Sequence, residues 1–100
     1  MKIKVQFVDM LTSDSLEIYT IKKLNKLNIK YNMLIHADVF FTKENDPKGN
    51  GKICKIELSL YGPRIFASAN EKNYEVAVKH AISDLEKQLK KRKGTLKSYL

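Results

Sequence analysis

One hundred residues, 43 % of them hydrophobic and 30 % charged, describe one globular domain and exclude a disordered or fibrous chain. Nineteen Lys and Arg against eleven Asp and Glu leave a formal charge of +8, which favours a polyanionic partner, nucleic acid ahead of an anionic membrane surface. No apolar run exceeds three residues, no secretory h-region opens the chain and the lone Cys54 forms no internal disulfide, so a cytoplasmic domain without a membrane span is expected.

Residues 2–8 alternate, with Ile3, Val5 and Phe7 on one side and Lys2, Lys4 and Gln6 on the other, which predicts a half-buried strand. Thr12, Ser13, Asp14 and Ser15 offer N-caps, and Glu17 suits a helix start. From Leu16 the period lengthens. Leu16, Tyr19, Leu24 and Leu27 share one helical face, Lys22, Lys26 and Lys30 form an i, i+4 stripe, and the helix is expected to end near Asn28.

Residues 33–42, rich in β-branched and aromatic side chains, predict a second strand. The stretch 44–51, with Pro47, Gly49 and Gly51, is a hairpin loop. Alternation returns over 52–60, with Cys54, Ile56, Leu58 and Leu60 on one side. Tyr61-Gly62-Pro63 turns the chain into a fourth strand at 64–69. Asn70 to Asn73 can cap a final helix, whose apolar stripe is Tyr74, Val78, Ala81, Ile82, Leu85 and Leu89, with Gly94 as its stop or weak point.

The order β-α-β-β-β-α fits an α+β, two-layer fold. A four-stranded, mostly antiparallel sheet carries both helices on one face and leaves the other face wetter.

Basic residues concentrate at the end of the chain. Residues 86–100 hold Lys87, Lys90, Lys91, Arg92, Lys93 and Lys97 against Glu86 alone, and the first helix adds Lys22, Lys23, Lys26 and Lys30. Lysine on a helix face commonly serves solubility, and cations near a helix C-terminus favourably meet its dipole. The terminal cluster together with the +8 total exceeds that need and points to phosphate backbones. Arg92 and Lys93 flank the extension of the apolar stripe, so the last turns are expected to project past the sheet.

Catalytic groupings do not emerge. His36 and His80 stand on separate elements without ligand-spaced neighbours, and Cys54 alternates with core residues. Gly49-Asn50-Gly51-Lys52 lacks the first glycine of a phosphate loop and has Ile53 where Ser or Thr would hold magnesium. Tyr19 and Tyr74 lie on core faces, and Phe40 and Phe66 on the open sheet face, without the glycine-aromatic signature of an RNA-binding sheet. No enzyme activity, metal or cofactor is expected.

Two segments carry a family resemblance. One is Leu16-Glu17-Ile18-Tyr19-Thr20-Ile21-Lys22-Lys23-Leu24-Asn25-Lys26-Leu27; the other is Ile65-Phe66-Ala67-Ser68-Ala69 followed by Leu85-Glu86-Lys87-Gln88-Leu89-Lys90-Lys91-Arg92-Lys93. With the element order, they resemble the ribosome hibernation-promoting factor and ribosome-associated inhibitor (sigma-54 modulation protein) family in its short form, over nearly the whole chain. The resemblance implies a fold like a double-stranded-RNA-binding domain. It also implies a non-enzymatic protein that binds the small ribosomal subunit and its rRNA in the mRNA/tRNA channel, blocking translation and preserving idle ribosomes under stress or in stationary phase.

Lys23, Lys26, Lys87, Lys91 and Lys93 match the family's basic pattern and are carried over as rRNA contacts. Lys22, Lys30, Lys79, Lys90, Arg92 and Lys97 join them as neighbouring candidates. Relatives open the last helix with an Asp, then a Tyr two residues on, then a second Asp; here Asn73, Glu75 and Lys79 occupy those places, with Tyr74 one position early. Long relatives continue into a ribosome-pairing domain, whereas residues 1–100 are expected to be a single ribosome-binding domain with a basic helical tail at about 90–100, monomeric when free. A second hibernation factor is left open as a further partner. The rival reading is a general double-stranded-RNA-binding module, although such modules place their lysine cluster at the start of the last helix.

Overall fold

Alternation at the start of the chain becomes β1 (Lys2–Phe7), and the longer period that follows becomes α1 (Asp14–Tyr31). Three strands come next, β2 (Leu34–Lys43), β3 (Lys52–Leu60) and β4 (Ile65–Glu71), and then α2 (Tyr74–Ser98). The structure, a computed structural model, describes residues 1–98, with side chains as far as Lys93. The sheet order is β1-β2-β3-β4, with β1 parallel to β2 and the other two pairs antiparallel. The parallel pair is the consequence of the α1 crossover, which returns the chain to the end where β1 began.

Local chemistry sets the helix ends. Ser13 caps α1, its Oγ accepting from the Leu16 N–H at 3.3 Å, and Asn73 caps α2, its Oδ1 accepting from the Val76 N–H at 2.8 Å. Such caps contribute about 1 kcal/mol each. At the position where relatives carry Asp, Asn73 therefore retains a cap's acceptor without its charge. α1 runs three residues past the expected Asn28, because Tyr31 continues the buried stripe and Asn32 closes the helix in the left-handed region at φ 50°. Nor does α2 stop at Gly94. One helical glycine costs only about 1 kcal/mol relative to alanine, and the backbone remains helical to Ser98.

Both helices pack on one side of the sheet. Leu24 and Thr20 from α1, Val39 and Phe41 from β2, Ile56 and Leu58 from β3, and Leu85 and Leu89 from α2 are all fully enclosed. Thr20 is accommodated there because its hydroxyl donates to the Leu16 carbonyl at 2.7 Å. Phe41 anchors one end of the core, stacked on Phe7 at 5.3 Å and met edge-on by Tyr74 at 5.7 Å. Tyr74 satisfies its hydroxyl by donating to the Thr42 carbonyl at 3.1 Å. Cys54 is a core residue as its alternation suggests, and burial pushes its thiol up to about 12. In the 44–51 hairpin, Gly51 has φ 116°, and a Cβ there would stand 2.2 Å from the Glu44 carbonyl oxygen, so glycine is required.

Candidate nucleic-acid interface

Residues at the starts of α1 and α2 line one shared cavity, with Ser13 and Leu16 from the first and Asn73 and Tyr74 from the second. Near the end of α1, Lys30 bonds Glu86 on α2. The helices are therefore parallel neighbours, and their basic C-terminal halves lie together.

The groove between them, about 240 Å³, is lined by Lys23, Lys26, Leu27, Lys30, Ile82 and Glu86. At 100° per residue, the flank of α2 carrying Ile82 and Glu86 also carries Lys79, Lys90 and Lys93. Lys93 accordingly reaches across to α1, its ammonium 5.9 Å from the centroid of the Tyr31 ring. Lys30 approaches the same ring at 5.8 Å, and Lys23 stands 5.4 Å from the Tyr19 ring. Each pair has the geometry of a cation–π contact.

Glu86 is the single acid in this groove. Its Oε2 accepts from Lys30 Nζ at 2.5 Å and from the Tyr31 hydroxyl at 3.2 Å. The Lys30 hydrogen bond, foremost, holds the carboxyl below the usual glutamate range; burial opposes, and the Tyr31 bond and the charges of Lys30 and Lys90 reinforce it. The same contact raises Lys30, while burial raises Tyr31.

The sequence-derived candidates thus separate. Lys23, Lys26 and Lys30 from α1 join Lys79, Lys90 and Lys93 from α2 along one ridge. Lys87 stands exposed on the solvent crest of α2, and Lys91 one turn later on the flank toward β4. Lys22 is exposed one turn before Lys26, about 40° from it around α1, on the edge of an exposed stripe with Ile18, Asn25 and Ile29, and is not among the residues lining the groove. The Lys97 side chain lies outside the described residues.

Arg92 corrects an expectation. It turns inward against the β3–β4 turn, with Nη1 buried, so α2 still packs on the sheet end at this position. Gly62 of that turn stands beside it, so that a Cβ there would lie in ordinary contact, 3.9 Å from Nη1; what favours glycine is its φ of 98°. Lys93, by contrast, is exposed.

Sequence reasoning missed Tyr31 by ending the first helix near Asn28. The signal was present, since Leu16, Thr20, Leu24, Leu27 and Tyr31 continue one stripe at spacings of four, four, three and four.

The open sheet face differs. Arg64 pairs with Glu57 at 2.7 Å, and His36 with Asp38 at 3.0 Å. Phe40 and Phe66 belong to β2 and β4 with β3 between them, roughly 10 Å apart at the usual strand spacing, so they form no joint stacking platform. His80, exposed on α2, bonds Glu71.

Residues 3–97 match the model of the family described as sigma 54 modulation protein / S30EA ribosomal protein. No curated protein sequence matches significantly. Among solved structures, the chain is similar to a ribosomal subunit interface protein from Coxiella burnetii, with a TM-score of 0.83, 26 % identity and coverage of 94 % of this chain and 99 % of that one. It is also similar in fold to the N-terminal domain of Protein Y from Thermus thermophilus, with a TM-score of 0.78, 22 % identity and coverage of 91 % and 98 %. Among the described residues, no helix is long and apolar enough to cross a membrane.

Proposed function

The chain belongs to the sigma 54 modulation protein / S30EA ribosomal protein family, and from that premise we propose that it is a ribosome hibernation factor. It binds the small ribosomal subunit in the mRNA/tRNA channel, blocks translation and preserves idle ribosomes. One observation carries the reading: α1 and α2 merge their lysines into a single ridge in which Glu86 is the only acid lining the groove. The similarity to a protein described as a ribosomal subunit interface protein supports the same partner.

The action is occupancy and involves no reaction, metal or cofactor. Lysines along the ridge contact rRNA phosphates and release condensed counterions, while the body of the domain excludes mRNA and tRNA. Shape and phosphate placement select the site, as A-form RNA hides its base edges in a deep major groove. Residues 1–100 act in the cytoplasm as one ribosome-binding domain, monomeric when free, and a second hibernation factor is compatible with this mode.

Co-sedimentation with vacant ribosomes across a salt series, against a matched RNA duplex, tests this. Ribosome-selective pelleting is expected, with log K falling by about 0.7–0.9 per phosphate contacted for each tenfold rise in salt. Added mRNA and tRNA should compete. Equal binding to the duplex would replace the ribosome reading with a general double-stranded-RNA-binding module, and absence of pelleting at low salt would overturn both.

A further inference from the structure

Three of the cavities among the described residues border the helices with linings that differ in charge. The cavity at the helix starts includes Glu75, and the groove between the helices includes Glu86. The third, about 420 Å³, lies where the end of α2 meets the β3–β4 turn and is lined by Pro63, Ile65, Gln88, Lys91 and Arg92. It contains two cations and an apolar wall, and no carboxylate.

Arg92 is held there by packing. Its Nη1 is enclosed beside Gly62 and makes no hydrogen bond, while the side chain borders the cavity. A guanidinium carries five N–H donors in a rigid fork, and one that is partly desolvated without an acceptor is stabilised by an anion docking on its open edge. Gln88 fixes the geometry, its Nε2 donating to the Phe66 carbonyl at 2.9 Å and tying α2 to β4. The ligand that fits has an anionic group for the fork and a body that can lie on proline and isoleucine. A nucleotide supplies both.

We propose that this pocket takes one nucleotide, with its phosphate on Arg92 and Lys91 and its sugar or base against Pro63 and Ile65. The pocket is separate from the ridge between the helices, so it adds a discrete binding point to a surface that otherwise acts through spread charge. The nucleotide comes either from the free pool or from an RNA strand.

Amide shifts of the isotope-labelled chain, titrated with GMP and separately with a mixed-sequence RNA tetranucleotide, distinguish the sources. Saturable shifts are expected at residues 62–66 and 88–92. Arg92→Gln should weaken them about tenfold or more, Arg92→Lys nearly as much because it keeps the charge and loses the fork, and Pro63→Ala about threefold. Shifts with both ligands show that a free nucleotide suffices, and shifts with the tetranucleotide alone assign the pocket to an RNA strand; each upholds it. Shifts confined to Lys23, Lys26, Lys30 and Lys93, or insensitive to Arg92→Gln, overturn it. If Arg92→Gln does not fold, unchanged affinity in Pro63→Ala overturns it equally. Ribosome pelleting by the parent chain, measured alongside, separates failure of the pocket from failure of the ribosome reading.

Discussion

The two faces of this domain differ in how acids are placed among their cations. On the open sheet face acids are interleaved with the basic groups: Glu57 pairs with Arg64, Asp38 pairs with His36 two residues earlier on the same strand, and Lys4 lies opposite Asp38 in register. On the helical side, Lys23, Lys26, Lys79, Lys87, Lys90 and Lys93 have no carboxylate within ion-pair distance among the described residues, and Lys30 alone bridges Glu86. A neutralised surface releases few counterions when a polyanion approaches, whereas a concentrated one releases many. Proximity in sequence does not explain the difference. The ridge exists because two parallel helices, separated in the chain by residues 32–73, bring their basic halves together.

The most damaging way to test that contrast is charge reversal on each face. Lys23→Glu, Lys26→Glu and Lys93→Glu together should lower ribosome affinity about a thousandfold at moderate salt and reduce the salt slope by about three contacts. Reversing Lys2, Lys4 and Lys55 on the sheet face should cost no more than about tenfold, since only long-range attraction is lost. Filter binding across a salt series reads both, and equal losses would erase the distinction between the faces.

A second test removes the support beneath the ridge. Leu85 and Leu89 are fully enclosed under α2, and Leu89→Ala should destabilise the domain by about 2–5 kcal/mol in chemical denaturation. Ribosome affinity of the folded fraction should fall much less, as Leu89 touches no phosphate. A larger loss of affinity than of stability would mean that α2 must be rigid for the ridge to function.

The same comparison explains what the sequence disclosed. Element order was legible because strands and helices have different hydrophobic periods, and α1 and the alternation in β3 are long enough to show them. Ends were less legible: Tyr31 extended α1 because its ring has a place in the core, and Gly94 failed to stop α2 because a single glycine costs little there. The site was legible in composition and not in arrangement. Periodicity identifies the buried stripe of α2, but only packing decides which flank faces α1. For that reason Lys87 and Lys93, both carried over as rRNA contacts, occupy different surfaces, the solvent crest of α2 and its flank toward α1. Arg92 shows the limit most plainly, since it turns inward against the β3–β4 turn, thirty residues away in the chain.

Tyr31 allows a narrower test of how the ridge is positioned. Its ring lies near both Lys30 and Lys93, and its hydroxyl donates to Glu86. Tyr31→Phe keeps the ring and should leave ribosome affinity within about twofold. Tyr31→Leu removes the surface on which both ammonium groups rest and should weaken it by about three- to tenfold, a cation–π contact at such sites being worth roughly 0.5–1 kcal/mol. Identical effects in the two variants would assign the positioning to the hydroxyl instead.

Glu86 produces the smallest effects and the most informative signs. Its carboxyl titrates lower in the folded chain than in the unfolded one, chiefly through the Lys30 hydrogen bond, so ionised Glu86 stabilises the fold. That contribution is fully present above the unfolded-state glutamate value and is lost as pH falls through the lower folded-state value. Glu86→Gln should therefore lower the melting temperature slightly at neutral pH, by about 2 °C or less for so exposed a pair, and the difference from the parent should vanish in acid. Ribosome affinity should move the other way, rising about two- to threefold, because an acid is removed from the groove that meets phosphate. Opposite signs would show that Glu86 restrains the ridge electrostatically while bracing it structurally. A fall in both would show that the Lys30–Glu86–Tyr31 contact is needed to hold the lysines in place, and that on this face geometry outweighs charge.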